Sequence, residues 1–547
     1  MNVTPDPITS EVIRNAYNAI ADDMSAMIAR SAYSPILYEA HDYGIALFDR
    51  DARLLGQYAG LPLFTGGLDA GLKATIERYG IDGMRPGDVF TVNDSYITGG
   101  HLNDVDVIGV IADEEELLGF IAVRAHWADI GTAEPGFPVN SRNIFQEGVR
   151  WGPTRIMEGG EWVRDVIDLL CLNSRVPKTL MGDLKAQIAA IRLGAERMKW
   201  LKIRFGQEML EACATRIFTA TDAKFRGFIR SIPDGVYTAE GFSDNDGVTD
   251  EPLLSKATVT IAGDRMTVDT TGSARQRAGN LNTGYANTVS AVRLALALLM
   301  PEREPDINDG SFRAIEVIAE SGSIYAAEAP APCMRPHPVM LLIDLIVKAL
   351  SDVLPDHVAA GLPGDSWNIF LIGVDPATGT AFASGEALDG GWGASAQGDG
   401  PSAVIHSAAG DFRNIPVETL EHRVPVLIRR LALGQDSGGA GEYRGGQNVV
   451  KEYEALTDMG VTLHFDRAIT PEWGLFGGES GASPKVTVYN TENPRGFVIN
   501  KVEQLPLKRG DRFVAETGGG GGYGPISRRN PARLAEDIAD GVVSRVA

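Results

Sequence analysis

Two imidazole–carboxylate pairs share one short stretch of the chain: His101 with Asp104, and His126 with Asp129. Between them, Asp104 to Ile111 is rich in Val and Ile, Leu117 to Ala125 is again apolar, and Ala112 to Glu116 is a charged turn, which is the pattern of a β-hairpin. A turn centred on Glu115 sets Asp104 opposite His126. Imidazole nitrogen and carboxylate oxygen then meet at one end of a rigid two-strand unit, and these are the donors that borderline or hard divalent cations take. Gly99 and Gly100, just before His101, let the chain turn tightly into the site. A lone His-x-x-Asp is ordinarily a solvated or packed feature. Two such pairs joined by one hairpin, in a chain with only 8 histidines, point to a metal site. The other six, His41, His337, His357, His406, His422 and His464, show no ligand spacing.

The elements around this hairpin follow from periodicity. Pro5 to Ala32 reads as a helix with Asp6 as N-cap and Pro7 at the first helical position. Asp42 to Phe48 and Arg53 to Gln57 read as a strand pair, with Asp42 at the strand mouth, a position that alone is unremarkable. Gly67 to Tyr79 is helical and Asp88 to Val92 is a strand feeding the central stretch. Phe137 to Val163 reads as a polar loop holding Glu147. Asp165 to Cys171 is a helix, and Asp183 to Thr219 a long amphipathic one. Further on, Ala257 to Ile261 and Arg265 to Asp269 alternate about a hairpin turn. Tyr285 to Leu299 and Pro338 to Leu354 are helical, and from Val424 strands and glycine turns dominate. The fold class expected is α+β: a metal-bearing N-terminal α/β portion (1–230), a middle α+β portion (231–420) and a β-rich, glycine-looped C-terminal portion (421–547).

Composition narrows the function. The 547 residues, 44% hydrophobic and 22% charged, are those of a globular protein of more than one core. A formal net charge of −22 argues against nucleic-acid binding, which needs basic patches. The three cysteines, Cys171, Cys213 and Cys333, form no disulfide pattern and read as reduced thiols of a cytoplasmic protein. No secretory signal opens the chain, and the most apolar run, Val339 to Leu350, is too short to span a membrane. The 63 glycines include runs at Ser437–Gly441, Gly445–Gly446 and Gly518–Gly522. None is followed by the Lys-Ser/Thr of a phosphate cradle, so they read as tight turns and close backbone contacts. Neither a nucleotide site nor a Ser or Cys nucleophile is apparent, which leaves metal-assisted chemistry.

Several long stretches, in order, resemble the hydantoinase B/5-oxoprolinase family: SPILYEAHDYGIALFD (34–49), NDSYITGGHLNDVDV (93–107), AHWADIG (125–131), RNIPVETLE (413–421), DSGGAGEYRGG (436–446), DRAITPEWGLFGG (466–478) and TGGGGGYGP (517–525). The resemblance implies a divalent metal (Mn, Zn, Fe or Co) held by Asp42, His101, Asp104 and His126, with Asp129 close by. It also implies that ATP is used through a separate hydantoinase A-type subunit, in a hetero-oligomer such as (AB)2. Glu147, in FQEGVRWGP, matches a family motif and is expected to support the site or orient substrate. Tyr58 and Phe64 stand where relatives commonly carry histidine, and Glu39-Ala40-His41 replaces an Arg-rich approach to Asp42, so His41 is a candidate compensating base.

The function expected is ATP-coupled hydrolysis of a cyclic amide or imide such as a hydantoin, 5-oxoproline or another lactam. The metal would polarise the ring carbonyl and acidify water, and Asp129 or His41 would take the proton. The competing expectations are a subunit of a ketone carboxylase of the acetone/acetophenone type, and a non-catalytic scaffold for the ATPase subunit.

Overall fold

A computed structural model describes residues 4–58, 60–114, 116–133, 138–301, 306–335 and 337–544. Glu115, the expected centre of the hairpin turn, and Phe137, the expected start of a loop, lie outside the described residues.

The first sheet is seven-stranded and antiparallel. Its order is Leu54–Gln57, Tyr43–Asp49, Glu116–His126, Asp104–Asp113, Val89–Val92, Thr154–Glu158 and Glu161–Trp162. The central hairpin is nearly uniformly apolar because both of its faces are covered. Val105, Val107, Ile121 and Val123 pack into a core with the helices Pro7–Ser31 and Pro177–Phe205. Ile108, Phe120 and Ala122 face the other way, onto Leu68 and Leu72 of the helix Leu68–Tyr79. The first helix is capped as its sequence indicates, Asp6 accepting from the amides of Ile8 and Thr9 at 2.9 Å each.

Three further sheets follow. One is four-stranded (Ile315–Ile318, Arg265–Asp269, Leu253–Ala262, Gly235–Ser243) and packs on the helices Tyr285–Leu299 and Pro338–Ala349. The third, also four-stranded, is Ala381–Glu386, Asn368–Val374, Met459–His464 and Lys501–Leu507. The fourth is five-stranded and includes Val426–Leu433, Val449–Ala455 and Arg512–Glu516. The architecture is mixed α+β with several sheets. Among the described residues no helix is long and apolar enough to cross a membrane.

Two expectations need correction. The stretch Asp183 to Thr219 is not one helix: Gly206, at φ +80°, breaks it into Pro177–Phe205 and Gln207–Ser231. A left-handed residue cannot continue a right-handed helix, and glycine takes that conformation without Cβ strain. The stretch read as a loop up to Val163 contains the strands Thr154–Glu158 and Glu161–Trp162, the first of which extends the sheet beyond Val89–Val92.

The glycine runs lie backbone against backbone. A Cβ on Gly519 would stand 1.8 Å from the Ser437 carbonyl oxygen, on Gly520 1.9 Å from that of Trp392, and on Gly445 1.9 Å from that of Gly520. Amide hydrogen bonds link the segments, including Gly439 N–H to Gly520 O and Gly520 N–H to Gly446 O. Glycine is used here because extended chains approach more closely than any side chain permits.

Candidate active site

The register of the first sheet builds the site. Asp104 stands directly across from His126, as the hairpin pattern indicates, and Asp106 across from Arg124. On the other side of His126, Tyr43 pairs with Ala125, and the His126 amide donates to the Asp42 carbonyl at 3.1 Å. Asp42, His126 and Asp104 therefore form one row across three neighbouring strand ends. His101 joins from the turn below, where its carbonyl accepts the Asp104 amide at 2.9 Å.

That turn depends on its glycines. Asp94 caps the short helix Ser95–Thr98, and Gly99 ends it at φ +85°. A Cβ on Gly99 would meet the Asn287 amide nitrogen at 2.3 Å, and one on Gly100 would meet Asp104 Oδ2 at 2.6 Å. Asn103 fixes the other flank by donating to the Trp127 carbonyl at 2.7 Å.

The donor atoms converge. His101 Nε2 is 3.4 Å and His126 Nδ1 3.5 Å from Asp104 Oδ1, and His126 Nδ1 is 3.9 Å from Asp42 Oδ2. One ligand atom each from His101, Asp104 and His126 can be chosen so that all lie within 4.8 Å of one another. Burial and charge pull the four groups apart. Burial raises the Asp42 carboxyl to about 7, against the pull of His126 and with a push from Asp104. Burial lowers His101 to about 4. Burial would also raise Asp104, but the neighbouring imidazoles and Arg124 outweigh it and hold it low. Burial opposes protonation of His126, yet Asp104 and Asp42 raise it. Behind the row, Arg124 and Asp106 form a fully buried bidentate pair at 2.6 and 3.0 Å.

A divalent cation fits this donor set. Asp104 Oδ1 is buried with no well-formed hydrogen bond, its neighbours being the imidazole nitrogens of His101 and His126 at 3.4 and 3.5 Å, an arrangement that a cation bridging the three would complete. The two imidazoles and the Asp104 carboxylate that converge, with Asp42 beside His126, match the N/O preference of Mn, Zn, Fe or Co.

The row forms the floor of a cleft of about 860 Å³, counting its open mouth. Its walls are largely apolar, with Leu63, Phe64, Met340, Phe370 and Phe412 among them, and they come from distant parts of the chain. His337 and Ser366 also face it, with His337 Nε2 2.9 Å from Ser366 Oγ and 3.3 Å from Asp365 Oδ1. Burial holds the His337 imidazole well below its usual value. Sequence spacing missed His337, which is isolated in the chain and is brought to the cleft only by tertiary packing.

The other expected residues lie elsewhere. Asp129 pairs with Arg175 at 2.7 Å and lines a neighbouring groove that it shares with His126, rather than the cleft. His41, at φ +58°, turns to Asp411 (Nδ1–Oδ2 3.3 Å) and is not among the cleft-lining residues. Tyr58 donates to the same Asp411 oxygen at 2.8 Å, so the two residues pin the loop that carries Phe412. Phe64 is in the cleft wall itself. Glu147 is fully buried, is not among the cleft-lining residues, and accepts from Ser141 Oγ at 2.6 Å and the Cys333 amide at 2.7 Å. Burial pushes its carboxyl up to about 8. Glu147 thus ties down the segment that leads through Met334 to His337.

An antiparallel sheet that delivers imidazoles and carboxylates to the floor of an apolar cleft defines an enzyme-type site for a small organic molecule. Comparison with known proteins then supplies the family: the family model for hydantoinase B/oxoprolinase matches residues 6–526, and the chain belongs to that family. It is similar to a protein named as the B subunit of a D-/L-hydantoinase from Pseudomonas sp. (strain NS671), with 30% identity over 99% of this chain and 93% of that one. It is also similar to the caprolactamase β subunit of Pseudomonas jessenii, with 30% identity over 99% and 94% of the two chains. The crystal structure of the P. jessenii ATP-dependent caprolactamase superposes with a TM-score of 0.91 at 29% identity, covering 99% of this chain and 95% of that one. A nucleotide-free acetone carboxylase structure shares the fold, with a TM-score of 0.87 at 20% identity over 98% and 78%.

Proposed function

We propose that this chain is the metal-dependent subunit of an enzyme that opens a cyclic amide or imide after an ATP-binding partner subunit has activated it. The observation that carries the reading is the Asp42–His126–Asp104 row with His101, set in the floor of an apolar cleft. The full-length likeness to hydantoinase and caprolactamase subunits supports it.

Asp42, His101, Asp104 and His126 would hold the ion, which when bound supplies Lewis acidity toward a carbonyl oxygen and lowers the pKa of water. The rest is the chain's own work. The apolar walls hold the ring and displace water from around it. The buried Arg124–Asp106 pair fixes the strand ends that carry Asp104 and His126. His337, held by Ser366 and Asp365, also lines the cleft; kept uncharged by burial, it would orient the ring or the attacking water by hydrogen bonding rather than take its proton. Asp129, ion-paired to Arg175, holds the chain just beyond His126.

The test is to purify the chain with its co-purifying subunit and follow ATP hydrolysis and product formation with hydantoin, 5-oxoproline and ε-caprolactam. A bicarbonate-plus-ketone arm runs in parallel. Ring-opened product formed in step with ADP is expected. ATP turnover that requires bicarbonate and opens no ring would instead establish the carboxylase reading, and a complex active without this chain would establish the scaffold reading.

A further inference from the structure

The contacts of His337 decide which of its nitrogens carries the hydrogen. Nε2 lies 2.9 Å from Ser366 Oγ and 3.3 Å from Asp365 Oδ1. Asp365 is wholly buried and acts as an acceptor. The Arg335 guanidinium and the Ser366 amide donate to its Oδ1 at 3.0 and 2.8 Å, and the Asp466 amide donates to its Oδ2 at 2.6 Å. The Ser366 hydroxyl gives its own proton to Asn368 Oδ1 at 3.1 Å, so its oxygen is also left to accept. Nε2 therefore bears the hydrogen, and burial keeps the ring uncharged. Nδ1 is then a bare acceptor, buried and with no hydrogen-bond partner among the described residues. Such an atom is costly in a native fold unless something completes it. The other carboxylates that line the cleft are already engaged: Asp42 and Asp104 in the row on the floor, and Glu386 with Lys451 and Tyr453.

From this we infer that His337 Nδ1 receives the N–H of the substrate's ring amide, and that Asp365 is the positioning residue that fixes His337 in the tautomer able to do so. The inference rests on the cyclic-amide reading above and deepens it. A small ring holds its amide cis, with N–H and C=O on one edge, whereas an open-chain secondary amide is strongly trans and shows them on opposite edges. A cleft with donors for a cation on its floor and a bare acceptor among its lining residues reads the cis edge: the ion takes the oxygen and the imidazole takes the N–H. A ring in which methyl or methylene replaces that hydrogen leaves Nδ1 buried and unpaired, and a site built around a hydrogen bond rejects such an analogue.

The experiment uses the metal-loaded complex of this chain with its ATPase partner. Without ATP, calorimetric Kd is measured for ε-caprolactam, N-methylcaprolactam and cycloheptanone, the last carrying a methylene in place of N–H. ε-Caprolactam is expected to bind about tenfold or more tighter than either. His337→Ala should remove most of that preference for both comparisons, a cycle in which steric and carbonyl differences cancel. Asp365→Asn should weaken the preference in the same direction. A measurement on the unsubstituted complex stands apart from how the variants fold: nitrogen NMR of labelled histidine should show His337 protonated at Nε2, with an Nδ1 signal that moves on adding ε-caprolactam and not on adding cycloheptanone. A preference that survives His337→Ala, or a hydrogen found on Nδ1, overturns the inference. The parent's tautomer and preference persisting in folded Asp365→Asn overturn the role given to Asp365. Ring opening with ATP is followed separately. If ε-caprolactam is opened while these results fail, the cyclic-amide reading stands alone; if no cyclic amide is opened, both fall.

Discussion

Asp42 shows how a single side chain draws its meaning from strands far from it in sequence. By itself it is a carboxylate at the mouth of a strand; in the sheet it stands beside His126 and completes a row with Asp104. Burial raises its carboxyl from 3.8 to about 7, so a cation must displace a proton from it at neutral pH. Metal retention should therefore fall by roughly tenfold per pH unit below about pH 7 for each proton displaced. Elemental analysis after dialysis between pH 5.5 and 8 checks this. Asp42→Asn should bind metal more weakly and with a shallower pH dependence, the remainder belonging to His126, whereas His126→Ala should lose the ion at every pH. Glu147 makes a separate prediction, about stability. Burial raises it from 4.5 to about 8. Below the lower value both folded and unfolded chains hold the proton. Between the two values only the folded chain does, so stability falls as pH rises through that window. Glu147→Gln keeps an acceptor for the Cys333 amide and sets its own N–H against the Ser141 hydroxyl, which can turn to accept, but does not titrate. Its melting temperature should vary less with pH than the parent's and exceed it above pH 8, by about 1 °C for each kcal/mol of linkage removed in a chain of 547 residues. A larger drop for the parent below pH 5 than above pH 8 would contradict the assignment.

At the scale of elements, what could be read from the sequence was what is local. The hairpin's register, the Asp6 cap, the helix Tyr285–Leu299 and the meaning of the glycine runs follow from period, turn chemistry and the lack of a phosphate motif. What escaped was set by partners distant in sequence. Thr154–Glu158 is a strand because Val89–Val92 offers an unpaired edge, although its own residues alternate poorly. Asn368–Val374 pairs with Met459–His464 across some ninety residues, a separation on which periodicity is silent. Asp129 and His41 had suggestive positions but found closer partners in Arg175 and Asp411. The turn before His101 gives the test at this scale. Gly100→Ala changes no ligand, yet its Cβ would fall 2.6 Å from Asp104 Oδ2. It should weaken metal affinity by about 10–100-fold, as displacement of a ligand's support does, with only a modest change in far-ultraviolet circular dichroism. Metal titration of the apoprotein distinguishes this from simple unfolding.

For the whole molecule, the cleft is assembled rather than carried by one part. Its floor comes from the first sheet and the turn that carries His101, one wall from Met334, His337 and Met340, and the others from the third sheet and the segment around Phe412. The likeness of the sequence to its family reached the floor residues, because they lie in long contiguous motifs. Of the walls it singled out Phe64 alone, because which strand faces which cleft is decided by packing. The glycine segments that adjoin Val449–Ala455 and Arg512–Glu516 in the chain pack main chain against main chain, and Gly520 has the Trp392 carbonyl oxygen 1.9 Å from the place a Cβ would occupy. Gly520→Ala must therefore move main chain rather than a flexible side chain, a change that costs at least about 1–3 kcal/mol by the measure of overpacked cores. It should lower kcat/KM even though residue 520 is not part of the cleft lining. The assembled cleft also makes a binding prediction. A divalent ion at a hundredfold excess over its Kd stabilises the folded chain by about 2.7 kcal/mol through mass action alone. If the four donors and the distant walls form one cooperative unit, hydrogen exchange will slow on metal addition at residues 101–126. Adding a neutral lactam will then slow it at residues 366–387 and around 412 in the same concentration range. Protection confined to the first sheet at saturating lactam would mean that the walls do not close on the ring.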